Sequence, residues 1–282
     1  MRGSAERGEH SEPVRLDHRL QFWVVKASIV IPSYNYGRYL AEAIESALEQ
    51  TRPPCEVLVV DDGSGDNSAA VAERYPVTLL RQEHRGAVHT MATGIAASTG
   101  DCFAILNADD RMATNYLEIT APLLERNDRV GFVYTSLTLF GTVHELVPAR
   151  PFSLARLLAS NFVHGSSLIR RRAYDCTPGL AELDLAVYED WYLVLDLISH
   201  DWEGVGTNDT TLYYRQHGMS RNKTGGGEHE SAIRRIMLDH APLYAPTPRL
   251  WYWLHRHLFR RYPRAYIALA VLTCRALRRR AC

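Results

Sequence analysis

Short apolar blocks alternate along the first half of the chain with segments whose apolar residues recur at helical spacing. Ala27-Ser28-Ile29-Val30-Ile31 is rich in β-branched residues and stops at Pro32, as a strand buried on both faces does. Over residues 39–50, Leu40, Ala43, Ile44, Ala47 and Leu48 fall on one helical face, and Pro53-Pro54 follows, so the pattern predicts an amphipathic helix with a defined end. Val57-Leu58-Val59-Val60 predicts a second buried strand. A helix over 67–74, a strand over 77–80, a helix over 88–97 and a strand over 103–106 continue the alternation. Repeated strand–helix alternation with short connections predicts an α/β fold, a doubly wound, mostly parallel sheet with helices on both faces.

Beyond Asn127 the regularity weakens. The pattern there predicts strands over 130–139, 165–169 and 210–215, a short helix over 154–159, and a helix over 189–199 that is apolar nearly all round. Residues 1–24 are polar and expected to be disordered, and Met1 to Leu20 carries no apolar run that would serve as a secretory or membrane-spanning segment. The expected division is a globular domain over 25–222, a flexible connector over 223–248 that opens near three consecutive glycines, and a basic amphipathic helical tail over 249–282. The apolar stretch within that tail, 265–274, is too short to span a bilayer.

Charge changes this picture in one respect. The formal net charge is zero, but from Ala241 to Cys282 there are nine arginines and no Asp or Glu. A basic tail on an acidic body suits an anionic surface. Apolar groups such as Trp251, Trp253, Leu254 and Leu258 would let it lie on a bilayer at the inner face of the membrane, a peripheral and otherwise cytoplasmic placement. Packing of the same apolar side on the globular domain, or in a homodimer, is the competing reading. No nucleic-acid partner is expected. The five cysteines show no CxxC pair, which reads as free thiols in a reducing compartment.

In a parallel sheet, ligands bind at the carboxyl ends of the strands. Three strands end there in polar clusters: Pro32-Ser33-Tyr34-Asn35, Asp61-Asp62-Gly63-Ser64 and Asn107-Ala108-Asp109-Asp110. Acidic residues facing a nucleotide diphosphate would repel it unless a divalent cation lay between, and Mg²⁺ or Mn²⁺ takes carboxylate, water and phosphate oxygens together. Asp109 is the expected direct ligand; helix capping by Asp109 or Asp110 is the alternative. One carboxylate of the Asp61-Asp62 pair could accept the imide N–H of uracil or thymine, or simply make a turn. Pro32 to Asn35 would line the same base and ribose, with Tyr34 as packing surface.

Glu189-Asp190 opens the second-half helix, where the dipole favours a carboxylate charge. Asp190 could then serve as general base, or as an ordinary N-terminal cap. His217 is a candidate metal ligand through a neutral imidazole, with a structural role as alternative. His84, His89 and His164 show no spacing that indicates metal binding.

Taken together, the segments 29–35, 59–64, 100–110 and 189–190 resemble the inverting family 2 glycosyltransferases of the GT-A fold, in order and interval, over about residues 27–220. The resemblance implies a metal-dependent, hexosyltransferase-type enzyme that uses a nucleotide-sugar donor and an acceptor hydroxyl, for instance in polysaccharide, glycolipid or glycoside synthesis. It implies Asp62 at the base, Asp109 at the metal and diphosphate, Asp190 as base catalyst, and His217 on the metal. Two departures stand out. The family usually has Asp where this chain has Asn107, and commonly an Arg-Asn pair where this chain has Met91-Ala92; Arg85 is then a candidate substitute. The processive motif Gln-x-x-Arg-Trp is absent, which favours single-sugar transfer. A nucleotidyltransferase is less favoured, because that class opens with a glycine- and basic-rich loop that the residues after Ile31 do not provide. A non-catalytic nucleotide-sugar-binding relative is the remaining alternative. The acceptor pocket is expected around 162–167 and 183–188.

Overall fold

The structure, a computed structural model, describes residues 24–217 except Glu182 and Ala186, then 228–244, Trp251 and 253–259. Its first half follows the alternation. The strands are β1 (Ala27–Ser33), β2 (Glu56–Asp61), β3 (Thr78–Arg81) and β4 (Cys102–Ile105). The intervening helices are α1 (Gly37–Leu48), α2 (Ser68–Ala72) and α3 (Ala87–Ala97). All four strands are parallel, in the order β3-β2-β1-β4. Every residue of β1 except Pro32 is buried, as expected for a strand covered on both faces.

Side chains of β1 alternate between two cores. Ile29 and Ile31 pack with Leu40, Ala43 and Ile44 of α1. Val30 joins Leu58 and Val60 on the other face. There α3 approaches so closely that a Cβ on Gly94 would lie 2.2 Å from Val30 Cγ1; the helix can seat only because position 94 has no side chain.

The second half is not a continuation of the same winding. After β5 (Arg111–Met112) and α4 (Tyr116–Glu125) come β6 (Val130–Gly141), β7 (Glu145–Val147), α5 (Leu154–Ala159), β8 (Leu168–Arg170), α6 (Arg171–Tyr174), α7 (Glu189–Ser199) and β9 (Glu203–Gln216). The sheet proceeds from β4 through β8, β6 and β9 to β5, with β7 attached to β6. β8 is antiparallel to both β4 and β6, β9 is parallel to β6 and antiparallel to β5. The expected α/β, mostly parallel sheet with helices on both faces is therefore present, with reversed strands confined to its second half.

The glycine-rich connector contains more order than expected. Residues Glu228–Asp239 form a helix, α8, and Ile236 and Met237 are buried in the core that also holds Trp191, Leu193 and Leu197 of α7. Burial of that apolar stripe outweighs the flexibility suggested by the preceding glycines. His240 closes the contact, its Nε2 lying 2.9 Å from Asp196 Oδ1. Of the expected basic tail, Trp251 is buried in the same core while Trp253 is half exposed; residues 260–282 lie outside the described residues, as do 1–23. Among the described residues, no helix is long and apolar enough to cross a membrane.

Candidate active site

The carboxyl edge of the parallel strands opens into a cleft of about 750 Å³. Its first end is built from loops that follow β1, β2 and β3. The loop after β1 turns at Asn35, which adopts the left-handed conformation (φ 58°), tolerable for an Asn. It is tied to the loop after β2: Ser64 Oγ accepts from Asn35 N (3.0 Å), Asn35 Oδ1 accepts from Gly65 N (2.8 Å), and Asp66 Oδ2 accepts from Gly37 N (2.9 Å). Asn35 is thus a loop fastener and does not line the cleft, whereas Pro32, Ser33 and Tyr34 do.

Asp62 lines the cleft but is almost fully buried. Its Oδ1 accepts from Gln82 Nε2 (2.7 Å) and Arg85 N (2.9 Å), and its Oδ2 accepts from Gly86 N (2.9 Å) and lies 2.9 Å from His84 Nδ1. Burial opposes the charge, but the hydrogen bonds from Arg85, Gln82 and Gly86 outweigh it and hold the carboxyl below the usual carboxylate value. Three hydrogen bonds thus tie the Asp62 carboxylate to the loop after β3. Arg85 contributes its backbone N–H here, and its exposed side chain is not among the cleft-lining groups. Asp61 belongs to β2, in register with Ser33 and Arg81, and its carboxyl is buried away from the cleft.

At the centre, Asn107, Ala108 and Asp109 line the cleft and Asp110 does not. The two adjacent carboxylates have opposite environments. Asp110 is buried, accepting from Arg215 N at Oδ1 (2.8 Å) and from Asn107 Nδ2 at Oδ2 (3.0 Å). Burial, with the neighbouring Asp109 charge, pushes its carboxyl up to about 8. Asn107 supplies an amide donor to this buried carboxyl. Asp109 instead meets His217, Oδ2 to Nε2 at 2.8 Å. Arg215 braces the pair, its Nε donating to Asp109 O (2.8 Å) and its guanidinium stacking on Tyr39 and Phe140.

This oxygen-plus-nitrogen pair suits a divalent cation that takes its remaining ligands from phosphate and water. Among the described residues, no group of three or more His, Cys, Asp or Glu side chains gathers as a metal site. His217 reaches Asp109 although it does not itself line the cleft.

The far end belongs to α7 and the segment before β8. Tyr188, at the N-terminus of α7, takes the left-handed conformation (φ 66°), which is costly for a bulky residue. Just beyond it, Glu189 and Asp190 enter the cleft. Gly165 faces Asp190, and a Cβ added there would lie 3.4 Å from the Asp190 Cβ. Beside it, His164 Nε2 accepts from Thr135 N (3.2 Å), and burial pushes the imidazole down to about 4.

Cleft-lining His84 and His164 were passed over in the sequence because neither has ligand spacing. For His84 the same strand-end rule that selected the other loops was available, since it follows β3. For His164 no such signal existed, because the direction of β8 was not legible. Among the described residues lining the cleft, none is Lys or Arg, while Asp62, Asp109, Glu189 and Asp190 all are present.

Comparison with known proteins gives a family match and fold neighbours. The family model "Glycosyl transferase family 2" matches residues 28–188. An uncharacterized glycosyltransferase of Nostoc is 37% identical over 116 residues, 39% of this chain and 36% of the relative. Glycosyltransferase GlyG of Streptococcus pneumoniae is 35% identical over 139 residues, 46% of each chain. The chain thus spans less than half the length of these two curated relatives. Among solved structures, S. aureus TarS (residues 1–349) in complex with UDP-GlcNAc matches with a TM-score of 0.64 at 17% identity, over 77% of this chain and 66% of that one. Mannosyltransferase PcManGT from Pyrobaculum calidifontis, in complex with GDP-Man and Mn²⁺, matches with a TM-score of 0.65 at 19% identity, over 90% and 76%. At these identities the likeness is one of fold.

Proposed function

This chain belongs to glycosyl transferase family 2, and from that premise we propose that it moves a single sugar from a nucleotide-sugar donor to an acceptor hydroxyl, with inversion at the anomeric carbon. The observation that carries this reading is the set of groups that line one cleft: Tyr34 and Asp62 from the loops after β1 and β2, Asn107 and Asp109 after β4, and the Asp190 carboxylate at the start of α7. UDP- and dTDP-sugars are the favoured donors. Neighbouring structures hold UDP-GlcNAc or GDP-Man with Mn²⁺, which supports a nucleotide sugar and a divalent metal without choosing the sugar.

A diphosphate in a cleft whose described lining residues include carboxylates and no Lys or Arg needs its charge balanced. Asp109 and His217 are the residues that would hold Mg²⁺ or Mn²⁺, which when bound stabilises the leaving diphosphate. Asp109 is drawn to one position by His217, and Arg215 fixes the carbonyl behind it. Asp190 takes the proton of the acceptor hydroxyl as its oxygen attacks the anomeric carbon. The bond from that carbon to the diphosphate oxygen breaks on the opposite face, so one displacement inverts the centre. Gly165, beside Asp190, leaves room for the acceptor to approach. A lipid-linked acceptor is proposed for the case in which the basic C-terminal segment meets an anionic bilayer.

Incubation of the protein with a panel of nucleotide sugars, candidate acceptors and Mn²⁺ tests the reading. Acceptor-dependent release of a nucleoside diphosphate is the expected result. Nucleotide-sugar binding with no turnover across the panel would instead favour a non-catalytic relative.

A further inference from the structure

We propose that His229 is a positioning residue for Asp190, acting through Tyr188. The inference rests on the reading of Asp190 as the base given above. It assigns a part in the reaction to α8, which lies beyond the residues 28–188 that the family model matches.

Tyr188 is the residue through which the chain enters α7. A bulky side chain keeps its left-handed backbone (φ 66°) only where the surroundings hold it there. Glu189 and Asp190 follow directly, and both line the cleft. Relaxation of Tyr188 to an ordinary backbone conformation would redirect the chain at the entry to α7, and with it the turn that carries Asp190.

Trp191 and His229 hold the Tyr188 ring. Trp191 meets it edge to face, with ring centroids 6.0 Å apart and planes at 87°. It is itself fixed, being buried with its Nε1 donating to Leu157 O (2.9 Å). The His229 ring lies 5.4 Å from that of Tyr188, and its Nδ1 is 3.1 Å from the Tyr188 hydroxyl. The hydroxyl can donate to a bare Nδ1 or accept from a protonated one, so the tie does not depend on the tautomer.

Docking of α8 brings His229 to this place. Tyr188, Tyr192 and Asp196 recur every four residues and so share one face of α7. Helix α8 follows that face: His229 meets Tyr188, Asp239 Oδ2 accepts from the Tyr192 hydroxyl (2.9 Å), and His240 meets Asp196. Ile236 and Met237 of the same helix are buried in the core with Trp191, Leu193 and Leu197. Of the three α7 residues in these ties, Tyr188 lines the cleft, whereas Tyr192 and Asp196 do not. Apolar burial thus docks the helix, and His229 conveys its position to the start of α7.

The test uses the full chain with Mn²⁺ and candidate acceptors, and reads release of UDP or dTDP from the corresponding nucleotide sugars. His229→Phe keeps a ring beside Tyr188 and removes the nitrogens; His229→Gln keeps a group that can donate or accept. In His229→Phe, kcat should fall about tenfold with the donor KM within about twofold, since a displaced reacting group loses rate rather than binding. His229→Gln should recover most of that loss. Tyr188→Phe removes the same bond from the other side, so it should cost about as much, and combining it with His229→Phe should add nothing. Tyr192→Phe, which cuts a tie between the same helices away from the cleft, should leave kcat within about twofold. If His229→Phe does not fold, Tyr188→Phe carries the test with the same expected fall. Unchanged kcat in a variant shown to be folded by its thermal midpoint overturns the inference and leaves the proposed function standing. So does an equal fall in Tyr192→Phe, which would make docking of α8 as a whole the requirement, or a double variant whose loss is the product of the single ones. If the wild type releases no nucleoside diphosphate from any donor, the nucleotide-sugar reading fails and this inference with it.

Discussion

The parallel half of the sheet and its mixed half furnish opposite ends of one cleft by different physical means. In the parallel half, each polar cluster sits on the loop directly after its strand. The loops fasten to one another at sequence separations of 20–30 residues, as Asp62 to Gln82 and Asn35 to Gly65 do. In the mixed half the corresponding ties are long. Arg215 N reaches Asp110 across 105 residues and His217 reaches Asp109 across 108. The donor end can therefore be assembled from local strand–loop–helix units, whereas the reaction end exists only once β9 has paired with β6 and β5.

The comparison would be sharpened most by Asp190→Asn, the change at the reaction end that leaves the parallel half untouched. If Asp190 is the base, turnover should fall by about 10²- to 10⁴-fold, while calorimetry shows nucleotide affinity unchanged. Full activity in the variant would remove Asp190 from the mechanism.

A smaller effect is expected where the halves join. Asn107→Asp deletes the amide donor to the buried Asp110. The metal-free protein should lose about 2 kcal/mol of stability, a drop in thermal midpoint of about 5 °C. Added Mn²⁺ should stabilise the variant more than the wild type. A midpoint equal to that of the wild type without metal would mean that Asn107 is not what holds Asp110.

The smallest effect concerns His164. Its folded value of about 4 lies below the ordinary 6.5, so the unfolded chain takes up a proton first. The stability associated with the neutral, buried ring is present above 6.5 and is lost as pH falls toward 4. Thermal midpoints measured between pH 7 and pH 5 should therefore decline more steeply for the wild type than for His164→Asn. Parallel declines would show that the ring titrates as it does in the unfolded chain.

Much of the parallel half was legible because its signals are local. β-Branched runs at 27–31 and 57–60 specify buried strands, and the strand-end rule pointed to Tyr34, Asp62 and Asp109, which all line the cleft. The 189–199 helix was equally plain, since its apolar run at 191, 193–195 and 197–198 is a signal local to the segment, and six of its eleven residues are buried. The two-residue β5, the reversed β8 and helix α8 were not, because each is stabilised by what lies across from it. Met112 pairs with Leu212, Phe103 with Ile169, and the apolar stripe of α8 closes on α7.

The same division runs through the site. Sequence by itself determined the four parallel strands, the edge that gathers carboxylates, and the helix that opens at Glu189-Asp190, because period and spacing are properties of a single segment. Only the tertiary structure decided that Asp110 is buried while Asp109 faces the cleft, and that Asp62 is tied to the loop after β3. Burial and hydrogen-bond occupancy are set by groups far apart in the chain, and a carboxylate or an imidazole acquires its chemistry from those partners.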